Sequence, residues 1–253
     1  TNAKELYVDA LAMLNKIETE NLAKPKAVFG LFKANTIKDD TIELFDENDK
    51  KINEFYTIRQ QAKKSKNQPN ISIADFIAEK ESGIQDYIGA FAVTTGQEIE
   101  DVANNYEKEL DDYNSIMVKA LADRLAEAYA EYLHKYVRTE IWGYAKDETL
   151  SNDELIAEKY KGIRPAPGYP ACPDHLEKET IFKILEVEKN TGINLTSSLA
   201  MYPVSSVSGY YFGNEEAKYF GVGKIKMDQV EDFAERKNIS KELAERWLSP
   251  NLA

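Results

Sequence analysis

The chain is 253 residues long, with 43% hydrophobic, 30% charged and 11% aromatic residues. Disordered, collagen-like and coiled-coil classes are excluded, because disorder goes with few aromatics and the 12 Gly and 8 Pro follow no repeat. The net charge of -12, from 32 Lys+Arg against 44 Asp+Glu, lacks the basic footprint with which nucleic-acid binders neutralise phosphates.

Residues 3–21 read as a helix, with Leu6, Ala10, Met13 or Leu14, and Ile17 recurring every three or four positions. The apolar run 28–32, between Pro25 and Asn35, predicts a strand, and 41–45 its hairpin partner. Residues 63–70, with Lys63, Lys64 and Lys66, form a predicted solvated loop, and 87–93 a second buried strand closed at Gly96. The longest helical signal follows in two stripes. Ile99, Val102, Tyr106 and Leu110 carry the first, and Ile116, Ala120, Leu121, Leu125, Ala128, Tyr132 and Tyr136 the second, with a break at 111–114. Ser151-x-x-Glu154 has the form of a capping box opening a helix that stops at Gly162, and Asp174-x-x-Glu177 opens another ending near Thr191 and Gly192. Residues 207–212 and 218–225 predict a hairpin around Gly213 and Asn214, and a final helical pair, 230–237 and 240–248, stops at Pro250. Helices and strands do not alternate regularly, which indicates α+β with an antiparallel or mixed sheet. With no repeat and no Gly/Ser-rich linker, the expectation is one domain.

No apolar run approaches the ~20 residues of a membrane helix, and the charged amphipathic start is not a signal peptide. The one cysteine, Cys172, excludes an internal disulfide and suits a reducing, cytoplasmic setting. Cys172 and His175 make half a C-x2-H pattern, but with only His134 besides, neither a zinc site nor a Cys/His catalytic pair is expected. Gly221-Val-Gly223 lacks the third glycine of a dinucleotide fingerprint, and there is no P-loop or G-x-S-x-G.

Three constellations carry chemistry. The segment 162–173, GIRPAPGYPACP, holds four of the eight prolines. Each fixes φ and pushes its predecessor towards extended geometry, so the loop is stiff and presents Arg164, the Ala166 carbonyl and amide, and the Tyr169 ring at little remaining entropic cost. Binding is the preferred reading over a rigid connector. Asp123, Glu127 and Glu131 recur at i, i+4 and i+8 on the long helix, where like charges repel unless a cation relieves them. Lys119, Arg124 and Lys135 lie within helical reach, so the residues favour an ion-pair ladder over a carboxylate cluster awaiting a cationic ligand. Tyr210-Tyr211-Phe212 and Tyr219-Phe220 are usual core or cross-strand aromatics that could also offer a platform to a heterocycle or cation. A rigid Arg, a carboxylate cluster and aromatic rings suit a zwitterionic ligand with a ring or onium centre.

At these same residues the chain resembles the C-terminal activation domain of cobalamin-dependent methionine synthase. The matching stretches are DYNSIMVKALADRLAEAYAEYLH (112–134), GIRPAPGYPACPDH (162–175), SVSGYYF (206–212), KYFGVGKI (218–225) and QVEDFAERK (229–237). The resemblance spans essentially the whole chain. It implies a single C-shaped α+β domain, 1–253, with a twisted antiparallel sheet and flanking helices. It implies S-adenosylmethionine binding, for the reductive methylation of cob(II)alamin to methylcobalamin in an enzyme that makes methionine from homocysteine and methyltetrahydrofolate. Arg164 is then expected to hold the methionine carboxylate, the Ala166 backbone to meet the adenine, and Tyr169 to wall the site. Glu127 and Glu158 are expected near the ammonium and sulfonium, with Tyr219 and Phe220 as the tandem aromatics. This reverses the residue-level preference for Glu127. The family commonly has Tyr-Tyr where this chain has Tyr219-Phe220, and its domain begins several dozen residues earlier, with an aspartate contact there. The chain is therefore read as an N-terminally truncated fragment of a multidomain enzyme, not catalytic alone. Its expected partners are the adjacent cobalamin-binding domain and a flavodoxin-type electron donor. A free-standing S-adenosylmethionine-binding or interaction protein is the alternative.

Overall fold

The computed structural model describes residues 2–38 and 40–253; Thr1 and Asp39, inside the expected span 1–253, lie outside the described residues. In chain order the elements are α1 (Asn2–Thr19), β1 (Lys26–Ile37), β2 (Thr41–Phe45), β3 (Lys51–Tyr56), β4 (Asp86–Thr94), α2 (Gln97–Lys108) and α3 (Asp112–Tyr136). A π-helical turn, Val137–Ile141, precedes α4 (Asn152–Ile156), α5 (Glu177–Ile184), α6 (Val187–Thr191), β5 (Asn194–Leu195), β6 (Met201–Tyr202), β7 (Ser206–Tyr211), α7 (Met227–Lys237) and α8 (Lys241–Leu248). The fold class is α+β, as expected, with an antiparallel five-stranded sheet of order β3-β2-β1-β4-β7. The chain forms two compact units interleaved in sequence.

The first unit comprises residues 1–28, 92–135 and 185–207. Met13 and Ile17 of α1, Ile99 and Ala103 of α2, and Met117, Val118 and Ala122 of α3 form its core. The break expected at 111–114 lies earlier, at 109–111, where Leu110 takes φ 61° and the Asp111 carboxylate accepts from the Asn114 N–H at 3.1 Å, capping α3. The expected apolar stripe on α3 is corrected by one face. Ile116 and Tyr132 are exposed, whereas Ala122, Ala126 and Ala130 are buried. Small residues at i, i+4 and i+8 let neighbours approach the backbone, so together with Met117, Val118 and Leu133 they mark the packed face. Two members of the expected ion-pair ladder turn elsewhere: Lys119 pairs with Glu107, and Asp123 accepts from the Ser205 hydroxyl at 2.7 Å.

The second unit comprises 29–91, 136–184 and 208–253. β1 and β2 pair antiparallel as expected, from Lys33↔Phe45 to Ile37↔Thr41. β3 is an addition, turned onto β2 by Asp46, whose carboxylate accepts from the Asn48 and Lys50 N–H groups, both at 2.9 Å. The pair α7 and α8 covers a core of Ile58, Val222, Ile225, Val230, Phe233 and Leu248.

Three further expectations are corrected here. The α4 capping box is present, but the helix ends at Ile156; Glu158 is left-handed at φ 54°, and Leu155 is the helix's one buried anchor. α5 starts at Glu177 without that capping box, because the Glu177 carboxylate turns inward to Lys237 while Asp174 accepts from the Leu176 N–H. A left-handed Glu186 then separates α5 from α6, which ends at Gly192 as expected. The hairpin 207–212/218–225 does not form. Asn214 accepts from the Glu216 N–H at 2.8 Å in a turn that diverts the chain, and 218–225 stays outside the strands.

Candidate functional site

What pairs with the end of β7 is the proline-rich loop. Ile163 and Phe212 form an antiparallel bridge, and the Tyr210 N–H donates to the Pro165 carbonyl at 2.9 Å. Gly209 makes this approach possible: a Cβ there would lie 2.6 Å from the Pro165 oxygen. At its far end the loop accepts from the Val222 N–H through Pro170 at 2.8 Å. The segment 218–225, freed from a hairpin, therefore packs along the loop. Proline stiffness and these bonds together give the loop one conformation.

Within the loop, the Ala166 carbonyl accepts from the Tyr169 N–H at 3.1 Å and from the Cys172 thiol at 2.8 Å. Burial pushes the Cys172 thiol up, which keeps it protonated as a donor. Both lone pairs of that carbonyl are thus used, whereas the Ala166 N–H, among the described residues, donates to nothing in the chain. The expected Ala166 contact narrows to its amide, a hydrogen-bond donor.

Arg164 is half-buried beside it. Its N–H donates to the Tyr219 hydroxyl at 3.0 Å, and its Nη1 donates to the Tyr160 hydroxyl at 3.2 Å. The two tyrosine hydroxyls are themselves hydrogen-bonded at 3.0 Å. Tyr160, 7% exposed, was not singled out by the sequence reading, and neither was Arg138 beneath it. The π-helical turn carries Arg138 inward, fully buried, where its Nε and Nη2 donate to the two Glu148 oxygens at 2.6 and 2.7 Å. The lone local signal for Tyr160 is its i, i+4 spacing to Arg164.

The remaining candidates divide. Tyr219 (38% exposed) and Tyr169 (61%) border the same loop and remain accessible. Phe220 packs into the core against Phe76, centroids 6.3 Å apart, with its ring lying on the α7–α8 cluster. Tyr210, Tyr211 and Phe212 are wholly buried, so the expectation of an aromatic platform on that strand is corrected. Tyr210 meets Phe55 edge-on, and Tyr211 stacks on Phe91 at 4.6 Å. Glu158 is exposed, and among the described residues its carboxylate has no ion pair or hydrogen bond. Glu127 belongs to the first unit, exposed on α3 and likewise without an ion pair among the described residues. The loop, Arg164, Ala166, Tyr169, Tyr160 and Tyr219 make up the site that the second unit presents: a positioned cation, a backbone donor and accessible rings. The chemistry of that set suits a ligand carrying both a carboxylate and an acceptor heterocycle.

Residues 1–238 match the family described as vitamin B12 dependent methionine synthase, activation domain. Among solved structures, the chain is similar to one described as the crystal structure of the MetH reactivation domain bound to AdoHcy. The two are 55% identical with a TM-score of 0.96, over 100% of this chain and 78% of that one.

Proposed function

The chain belongs to the family of vitamin B12-dependent methionine synthase activation domains, and we propose that it serves as the module that binds S-adenosylmethionine for reactivation of the cobalamin enzyme. The carrying observation is the juxtaposition of a half-buried, hydrogen-bonded Arg164 with the unengaged Ala166 N–H on a stiff loop. Arg164 would take the methionine carboxylate, since a guanidinium pairs with a carboxylate through two parallel hydrogen bonds. The Ala166 N–H would donate to an adenine ring nitrogen, and Tyr169 and Tyr219 would wall the groove. Phe220 contributes by holding its segment to the core. Glu158, two residues before Tyr160, and Glu127, on family likeness alone, are assigned to the cationic end. The bound ligand supplies a methyl group activated by its sulfonium.

A corrin ligand from this chain would have to come from a histidine. His134 is wholly buried, and His175 sits against Lys178 at 3.2 Å and beside Trp247, so neither histidine stands ready as a corrin ligand. The corrin is accordingly assigned to the neighbouring cobalamin domain and the electron to a flavodoxin-type donor, in the cytoplasm, for methionine synthesis from homocysteine. None of the α-helices among the described residues is long and apolar enough to cross a membrane.

Calorimetric titration with S-adenosylmethionine tests this reading. Arg164→Ala should lose on the order of 1.5–3 kcal/mol of binding, the range for hydrogen bonds to a charged group; unchanged affinity refutes the carboxylate assignment. Glu127→Gln and Glu158→Gln should weaken S-adenosylmethionine more than adenosine, which has no cationic end. Equal losses for both ligands would remove that carboxylate from the site.

A further inference from the structure

We propose that Tyr160 is a positioning residue that sets the plane of the Arg164 guanidinium for the ligand carboxylate, an inference that rests on the reading of Arg164 just given. The Tyr160 ring is close to two cations. The Arg138 guanidinium carbon lies 4.6 Å from its ring centroid and that of Arg164 lies 5.7 Å away. Arg138 cannot move to suit the ligand, because it is fully buried and clamped by both oxygens of Glu148. The Arg138 O also accepts from the Ala145 N–H at 2.9 Å, tying the π-helical turn to the segment that carries Glu148. The chain of contacts therefore runs from a fixed buried ion pair, through a buried ring, to the half-buried guanidinium that meets solvent.

The Tyr160 hydroxyl gives this stack its direction. It accepts from Arg164 Nη1 at 3.2 Å and bonds the Tyr219 hydroxyl at 3.0 Å, while the latter accepts from Arg164's own N–H. Arg164 is thus held at its backbone amide and at one guanidinium nitrogen by a linked pair of hydroxyls. A guanidinium is a planar fork of five donors, so fixing one Nη determines where its other edge points. An arginine on a long flexible stem would otherwise lose its rotamer freedom on binding; one already oriented loses less. Tyr160 touches no ligand in this arrangement. Its effect is selective for ligands with a carboxylate.

The experiment compares Tyr160→Phe, Arg164→Ala and the unmodified chain in calorimetric titrations with S-adenosylhomocysteine and with its decarboxylated analogue. Tyr160→Phe keeps the ring near both cations and deletes the hydroxyl alone. The expected result is affinity for S-adenosylhomocysteine roughly 3- to 10-fold lower, the worth of one hydrogen bond, with the decarboxylated analogue bound as before. Equal weakening of both ligands, or no change in either, overturns the inference, and the Arg164 reading stands if Arg164→Ala still discriminates between them. Failure of Arg164→Ala to discriminate overturns both. A second readout needs no ligand: the guanidinium proton resonances of Arg164 should show restricted rotation in the unmodified chain and free rotation in Tyr160→Phe. Identical spectra would also overturn the inference.

Discussion

Glu177 shows how one side chain couples charge to packing. It is fully buried, paired with Lys237, and near Asp174. Burial, opposed by Lys237 and reinforced by Asp174, pushes its carboxyl from 4.5 up to about 7. The folded state then holds this proton more tightly than the unfolded chain does. The contribution to stability is accordingly complete below pH 4.5 and is lost as pH rises towards about 7. Across that window the unmodified chain should lose stability relative to Glu177→Gln by a few kcal/mol, at about 1.4 kcal/mol per pK unit. Urea unfolding of both proteins at several pH values checks this; parallel stability curves would place the proton elsewhere. The same scale explains Ala166, whose carbonyl is consumed by the loop's own turn and whose amide donates to no group among the described residues.

Among elements, β7 and the proline-rich loop form the unit on which the proposed binding rests. The loop carries Arg164 and Ala166, and β7 supplies the backbone bonds that register them. Gly209 is the point of closest approach, with Ala166 Cα also 3.4 Å from where its Cβ would sit. Gly209→Ala should therefore push the loop off the strand. We expect a loss of about 1–3 kcal/mol in stability, typical of overpacking, together with clearly weaker S-adenosylmethionine binding. Denaturation and calorimetry read the two effects separately; wild-type affinity in a destabilised variant would show that the loop holds its shape without β7. Gly162 has a comparable constraint, at φ 76° with the Phe212 oxygen 2.3 Å from a Cβ position.

At the scale of the molecule, the proposed reaction joins the ligand of this chain to a cobalamin held by another domain. Methyl transfer needs donor and acceptor held in line, and such proximity is worth about 7–11 kcal/mol of barrier. We expect no acceleration when this chain is mixed with free cob(II)alamin, S-adenosylmethionine and a reductant, and acceleration once the cobalamin domain is supplied. The reaction is followed by the cobalamin absorption spectrum; a rate increase from the chain alone would make it a catalyst. The net charge of -12 bears on the same encounter, since an acidic electron donor would be repelled unless local basic patches guide it.

What could be read along the chain was what neighbours within a few residues determine. The helix α1, the β1–β2 hairpin, β4, the interruption between α2 and α3 and the pair α7–α8 follow from local periodicity and capping. The stiffness of residues 162–173 follows from proline alone. The packed face of α3 was misread because alanines carry little hydrophobic signal yet allow the closest approach. The Asp174–Glu177 capping box and the second aromatic strand were misread because their partners, Lys237 for Glu177 and the loop for β7, lie far along the chain. The support of Arg164 was invisible for the same reason. Its hydroxyl partner Tyr219 is 55 residues away, and Arg138 is brought beneath Tyr160 by a π-helical turn that no local pattern announces. Hydrogen bonds and ring contacts depend on distance in space, and the fold alone brings these residues within reach.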